Sequence, residues 1–243
     1  KSGETVLRAL HPNAGITANY DARIRALIEE MHNSIMYWIG ASYKANEPEM
    51  ALDEIEGSVP FFVAFDAATP ASALRIALNK LARRWQRRFD KASLDMAKYF
   101  SQSVERRTDA QMKTILKKAG ISVPFKMTPA MRDVAISTVN QNVSLIKSIP
   151  QQYLRNVEGI VMRSIQTGRD LGQLSKDLQS QLGVTKRRAA LIARDQNNKA
   201  TSAFQRARQQ ELGITEAIWQ HSHAGKEPRP THIAMNEKRY DVK

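Results

Sequence analysis

The sequence predicts a mainly α-helical protein with long amphipathic helices and a small C-terminal α+β module containing a short antiparallel sheet. Three observations predict this fold class. Apolar residues recur every three or four positions through most of the 243 residues, which is the period of a helix with one buried face. Thr-Pro pairs mark helix starts. After Gly213 the spacing changes to one that suits short strands.

The helical pattern divides into seven stretches separated by proline, glycine or threonine. Expected helices cover residues 17–44, 70–104, 108–119, 129–149, 151–166, 171–182 and 185–212. The apolar patch Val59–Val63 is expected in a loop or brief extended segment after Glu47-Pro48.

Each boundary has a local chemical reason. Thr69-Pro70 and Thr128-Pro129 pair an N-cap residue with proline at the first helical position, and Thr108 and Thr185 are expected to begin helices in the same capping role. Pro150 lacks an N–H and should kink or break its helix. Glycine ends a helix by adopting a left-handed conformation; the glycines placed to do so are Gly120, Gly168, Gly183 and Gly213.

The last elements are two strands, over residues 214–221 and 238–242, which can pair with each other. We place a domain boundary between an N-terminal helical arm or bundle, residues 1–125, and a C-terminal module, residues 126–243. No internal repeat or low-complexity tract is evident.

Composition narrows the classes of function. Lys and Arg number 37 against 24 Asp and Glu, a formal net charge of +13, which favours polyanionic surroundings such as packaged DNA.

Without cysteine the chain has no disulfide framework and no thiol chemistry. No apolar run approaches the roughly 18–20 residues of a membrane span. The first residues lack a signal peptide and an initiator Met, so we expect the natural N-terminus upstream.

Two clusters of cations are candidate DNA-binding or phosphate-binding sites. The first contains Lys80, Arg83, Arg84, Arg87, Arg88 and Lys91, and the second contains Lys186, Arg187 and Arg188, with Arg194 nearby. Helical spacing puts several members of the first cluster on one stripe, which could follow a phosphate backbone or be a solvated face. The second cluster falls at an expected helix start, where the macrodipole disfavours cations and makes an external anion more attractive.

The C-terminal part has an order of residues with a specific resemblance. Its members are Ala193-Arg194-Asp195 and Ala203-Phe204 in a helix, Trp219 in a strand, Arg229-Pro230-Thr231-His232 in a loop, and Asn236 near a turn. This order resembles the bacteriophage Mu protein F-like head morphogenesis family of minor head proteins. The opening is similar to that of one subgroup, with His11–Ile16 leading to Tyr20, then Glu30-Met31-His32 and Tyr37-Trp38.

The sequence departs from the family's pattern at its end. The family's module usually continues into a Pro-Gly segment and a paired-cysteine ending, whereas this sequence stops at Lys243 without cysteine. We therefore expect the C-terminal module either to be truncated or to close differently in this member.

The resemblance implies a structural, non-enzymatic minor head protein without a cofactor, acting in head morphogenesis. It implies that the protein lies at the portal vertex inside the capsid of the virion, facing packaged double-stranded DNA. During assembly the protein would be in the host cytoplasm. The implied partners are the portal protein and the major capsid or scaffolding protein, with no membrane. Function would come from apolar helix stripes docking in grooves.

The family-matched polar residues are interpreted as structural. Arg229 and His232 are expected to pin an irregular loop to the preceding helix, with Arg194 and Asp195 as their counterparts. Trp219 is interpreted as core rather than as a platform for a nucleobase, because its neighbours are apolar.

Two other functions stay open. His221, His223 and His232 could converge on zinc in a metal-dependent nuclease or toxin-like enzyme, although zinc-enzyme spacing is absent. A nonspecific DNA-binding protein would need only the cation clusters.

Overall fold

A computed structural model describes residues 6–45, 70–168, 170–221 and 229–241. Its elements are α1 (Ala14–Ala45), α2 (Pro70–Lys118), α3 (Pro129–Gln166), α4 (Leu171–Glu211), β1 (Glu216–Ile218), α5 (Pro230–Ala234) and β2 (Arg239–Asp241). The predicted fold class is confirmed, since the described chain is 81% helical with one small antiparallel sheet. In that sheet Glu216 pairs with Asp241, Ala217 with Tyr240 and Ile218 with Arg239.

Four helix ends follow the predicted chemistry. Thr128 caps α3, its hydroxyl oxygen accepting a hydrogen bond from the Met131 N–H at 3.3 Å. Gly120, Gly168 and Gly213 have positive φ angles of 79°, 102° and 68°. After α2 and α4, paired backbone bonds such as Ile121 N–H to the Leu116 carbonyl oxygen close the last turn. The Val59–Val63 patch and the Thr69 cap lie outside the described residues.

Predicted breaks between helices are wrong at four residues. Helix α2 continues through Thr108, α3 through Pro150, and α4 through both Gly183 and Thr185. Thr185 is no cap, because its hydroxyl donates to the Gln181 carbonyl oxygen one turn earlier, at 2.9 Å.

Tertiary burial explains why Pro150 does not end its helix. Interior proline costs about 3 kcal/mol. On either side of it, Ile146, Ile149, Tyr153 and Val157 are at most 1% exposed, and burying each large apolar side chain contributes about 1.5–3 kcal/mol. The local penalty is therefore smaller than the stabilisation from packing the continuous helix.

The chain forms two compact units. The helical unit contains Thr17–Lys98 and Asn140–Arg194, and the terminal unit contains Lys1–Ile16, Tyr99–Val139 and Asp195–Lys243. Both units draw on segments from either side of the predicted boundary at residues 125 and 126, which stays a prediction. No described helix is long and apolar enough to cross a membrane.

The helical unit is packed around a buried histidine. His32 on α1 is 3% exposed; its Nδ1 lies 2.7 Å from the Tyr153 hydroxyl on α3, and its Nε2 lies 3.1 Å from Gln179 Oε1 on α4. An amide oxygen only accepts, so Nε2 donates to Gln179, and in the neutral imidazole Nδ1 then accepts from the tyrosine hydroxyl. The contacts of His32 therefore suit a neutral imidazole that joins three helices.

A buried arginine organises the terminal unit. Arg208 on α4 is 1% exposed; its Nε and Nη2 each donate to one carboxylate oxygen of Asp109 on α2, both at 2.8 Å. Its Nη1 donates to the Lys126 carbonyl oxygen and to Glu211 Oε2, both at 2.7 Å. The guanidinium also lies 4.7 Å from the ring centroid of Phe125. One side chain thus ties α4 to the end of α2 and to the segment before α3.

Removing the Arg208 guanidinium should destabilise the terminal unit strongly. Arg208→Met would leave the Asp109 and Glu211 carboxylates without their cation, at a cost of about 3–5 kcal/mol in the free energy of unfolding. Lys199→Met is the control, since it removes an exposed pair with Asp195, and should cost below about 0.5 kcal/mol. Urea unfolding measures both, and equal losses in the two variants would contradict the role of Arg208.

His32 should make stability depend on pH. Burial lowers its pKa below the usual 6.5 and nearby Lys186 adds to this, while the Gln179 hydrogen bond opposes it. The unfolded chain therefore takes up the proton first as the pH falls. Stability should be full above about pH 6.5 and should decline below it, by about 1.4 kcal/mol for each unit of pKa depression.

The measurement is urea unfolding of three proteins at about pH 8 and about pH 5. His32→Gln should show a smaller stability difference between the two pH values than the wild type. His11→Gln, which changes an exposed histidine, should keep the wild-type difference. An unchanged difference in His32→Gln would show that other groups set the pH dependence.

Candidate functional site

The N-terminal motif contacts the helix that carries the C-terminal motif. Asn13 caps α1, its Oδ1 accepting from the Ile16 N–H at 3.1 Å. The carbonyl oxygen of Asn13 accepts from Nδ2 of Asn197 on α4 at 2.9 Å. Asn197 is fully buried and lies two residues after Asp195. The two stretches that carry the family resemblance therefore meet within the terminal unit.

Trp219 is the centre of the small C-terminal module. Directly after β1, its ring packs edge-on against His232 and Tyr240, with centroids 5.4 Å and 6.1 Å away. Its backbone N–H donates to the Lys238 carbonyl oxygen at 2.9 Å, and its carbonyl oxygen accepts from the Glu237 N–H at 2.8 Å. The half-buried indole thus contacts α5 and β2, and its backbone pairs with the residues just before β2.

Arg229 directly precedes a short helix, so the expectation of a loop is wrong for residues 230–232. Pro230 occupies the first position of α5, where its fixed φ angle suits a helix start. The Arg229 carbonyl oxygen accepts from the N–H groups of His232 and Ile233, at 2.9 Å and 3.2 Å. The Arg229 and His232 side chains are exposed.

A turn with a left-handed residue closes the module. The side-chain oxygen of Asn236 accepts from the His221 N–H at 2.9 Å, and Glu237 has a φ angle of 63°. A left-handed conformation costs about 1–2 kcal/mol in a residue with a Cβ. The backbone bonds of Glu237 and Trp219 hold it there, which places Asn236 at the turn that the resemblance implied.

The structure brings together only part of the family-matched set. Within the terminal unit Trp219 contacts His232, whereas Asp195 forms an exposed ion pair with Lys199 at 2.8 Å. Arg194 is exposed and belongs to the helical unit. Pinning of Arg229 and His232 by Arg194 and Asp195 stays a prediction.

The histidines give no metal site in the part of the chain that the structure describes. There, no three His, Asp or Glu side chains are grouped to hold a metal ion. His223 lies outside the described residues, so the complete triad of His221, His223 and His232 is not described.

The first cation cluster lies on the surface of α2. All six members are exposed: Lys80, Arg83, Arg84, Arg87, Arg88 and Lys91. Arg88 has partners, an ion pair with Glu30 on α1 and a position 5.5 Å from the Trp85 ring centroid. The other five form no ion pair or hydrogen bond with a described residue. The cluster therefore presents cations whose charge is not neutralised by the described part of the fold.

The second cation cluster is largely used in contacts within the helical unit. Lys186 pairs with Glu29 at 2.5 Å; the hydrogen bond and charge of Lys186 lower the pKa of that carboxyl. Arg188 donates to the Ser148 hydroxyl at 2.8 Å, and Arg187 is exposed. These residues lie in the interior of α4. They therefore do not flank a helix start, and the expectation that a helix start makes an anion attractive there is wrong.

Sequence reasoning missed the buried hydrogen-bonding roles of three residues, each of which acts within its own unit: Arg208, His32 and Asn197. A signal for Arg208 and Asn197 was present, because residues 193, 197, 200, 204, 208 and 211 follow the three-four spacing of one helix face. Polar side chains inside an apolar stripe indicate buried, hydrogen-bonded groups. His32 occupies an equivalent position in the α1 stripe.

Comparisons with known proteins find a family similarity in the C-terminal part of the chain. The profile of the family described as Phage Mu protein F like protein matches residues 155–243, which include Asn197, Arg208, Trp219 and His232. No solved structure shows a significant match.

One similar relative is a Haemophilus influenzae protein described as an uncharacterized protein. It is 33% identical over 184 residues, which are 72% of this chain and 39% of the relative. This chain thus spans well under half of the relative's length. Residues 155–243 of the chain are therefore similar to the Phage Mu protein F like family.

Proposed function

We propose that the chain is a structural minor head protein of a bacteriophage, bound at the portal vertex inside the capsid and facing packaged DNA. The observation that carries this proposal is the family match over residues 155–243. The proposed partners are the portal protein and the major capsid or scaffolding protein. The protein reaches the virion from the host cytoplasm during assembly and requires no cofactor.

The contacts around Trp219 favour a structural role over an enzymatic one. Trp219, His232 and Tyr240 pack on one another, and the Asn236 side chain supports the backbone of His221. Each of these side chains thus has a part in holding the C-terminal module together. A nuclease or toxin-like activity would instead need some of them available to a substrate or metal ion.

Exposed apolar side chains in the same module support a docking role. They are Ile218, Ile233, Met235 and Tyr240, which are 37–52% exposed. A two-stranded sheet with one short helix buries little surface of its own. Large apolar groups exposed on so small a module are typical of a surface that is covered in an assembly. We assign this surface to the portal protein.

Portal binding should therefore depend on the C-terminal module. In a pull-down with the portal protein of the same phage, the wild type should give a complex of defined stoichiometry that survives moderate salt. Ile233→Asp should weaken the complex about 10-fold or more, because burying an isoleucine contributes about 1.5–3 kcal/mol.

The matched control is Ile136→Asp on α3, since Ile136 is 51% exposed and Ile233 is 52% exposed. It should leave the complex unchanged. Absence of any complex with the wild type, or failure of the wild type to co-purify with virions, would overturn the proposed function. Equal weakening by both variants would remove the C-terminal module as the docking surface.

A further inference from the structure

We infer that the outer face of α2, formed by Lys80, Arg83, Arg84, Arg87 and Lys91, binds the phosphate backbone of duplex DNA. This inference rests on the proposed function only in taking packaged DNA as the natural ligand. DNA contacts this face, and the second cation cluster, on α4, takes no part in binding it.

The α2 face is strongly cationic. Between Ile76 and Leu94 the only acidic residue is Asp90, which is half-buried and lies with its carboxylate 3.6 Å from Lys147 Nζ. The five cations have no ion-pair partner among the described residues. Like charges on one helix repel each other at spacings of three and four residues, so this face gains from an external polyanion.

The helix holds these cations on a rigid support. On the opposite side of α2, Leu78, Leu81, Trp85 and Phe89 are at most 6% exposed. Arg88 adds a lateral tie through Glu30 on α1. Because the backbone is already ordered, binding would cost only the ordering of the cationic side chains.

Dimensions and chemistry fit a nucleic-acid duplex. Lys80 and Lys91 are eleven residues apart, so the face is about 16 Å long at 1.5 Å per residue. Duplex DNA presents roughly ten phosphates over that length. Three of the five cations are arginines, whose planar guanidinium can donate two hydrogen bonds to one phosphate. No base-reading geometry is needed, so binding should be independent of sequence.

The second cation cluster, on α4, resembles the first cation cluster, on α2, in sequence but differs from it in structure. Lys186 and Arg188 contact Glu29 and Ser148, and exposed Leu191 lies between Arg187 and Arg194 on the surface of α4. Replacing Arg187 and Arg194 therefore tests whether the affinity for DNA depends on the α2 face or only on net charge.

The experiment measures the affinity of the full chain for two unrelated duplexes of about 30 base pairs, by fluorescence anisotropy across a salt series. With four or five phosphate contacts, the slope of log affinity against log salt should lie near −4 for both duplexes. Arg83→Gln/Arg87→Gln should reduce the slope by about 2 and the affinity by about 10-fold or more. Glutamine is a good helix former, and circular dichroism checks that the variant is folded.

The matched control is Arg187→Gln/Arg194→Gln, which removes the same charge and the same side chains from α4. It should leave the slope and affinity nearly unchanged. Equal losses in both double variants would show a nonspecific charge effect and overturn the inference, as would unchanged DNA binding in the α2 variant.

Portal pull-down with the same variants separates the two proposals. The α2 variant should retain the portal complex while losing DNA. Two results together would contradict this inference: the wild type does not bind DNA, and the α2 variant loses a salt-sensitive portal complex. The α2 face would then bind an acidic surface of the portal protein. If the wild type bound DNA through α2 but gave no portal complex, only the proposed function would fail.

Discussion

The terminal unit depends on a buried cation that must satisfy its hydrogen-bonding groups inside the protein. The Nε and Nη2 atoms of Arg208 donate to the Asp109 carboxylate, and its Nη1 donates both to the Lys126 carbonyl oxygen and to Glu211. The guanidinium also lies over the ring of Phe125. The partners come from α2, from the segment before α3 and from α4 itself, so the guanidinium fixes where those parts meet. Buried charges are costly unless paired and hydrogen-bonded, which makes the arrangement sensitive to the loss of any partner.

The position of Arg208 also bears on the C-terminal module. Helix α4 ends three residues later at Glu211, and Gly213 then turns the chain into β1 with a φ angle of 68°. Anchoring the last turn of α4 therefore anchors the start of β1. From there the contacts of Trp219 hold β2 and α5. Trp219 and His232 are thus supported through a chain of contacts within one unit.

The two cation clusters show why the density of basic residues is a weak guide to a binding surface. Along the sequence they are alike, three or more cations within a few residues. In the structure, Lys186 and Arg188 have partners on α1 and α3, while most of the α2 cations have none among the described residues. A cation that already has a partner must lose it before binding an anion, whereas an exposed one loses only water.

Helical periodicity, glycine and proline placement, and an order of polar residues near the C-terminus were sufficient to predict the fold class, several helix ends, the strand pair and the family. These features are local, so one sequence contains them. Tertiary structure decided that the helices continue through Pro150, Gly183 and Thr185. It also decided the partners of Arg208 and His32 and the different surroundings of the two cation clusters. Burial and long-range hydrogen bonds outweigh local signals of about 1–3 kcal/mol, and they depend on residues more than a hundred positions apart, such as His32 and Tyr153.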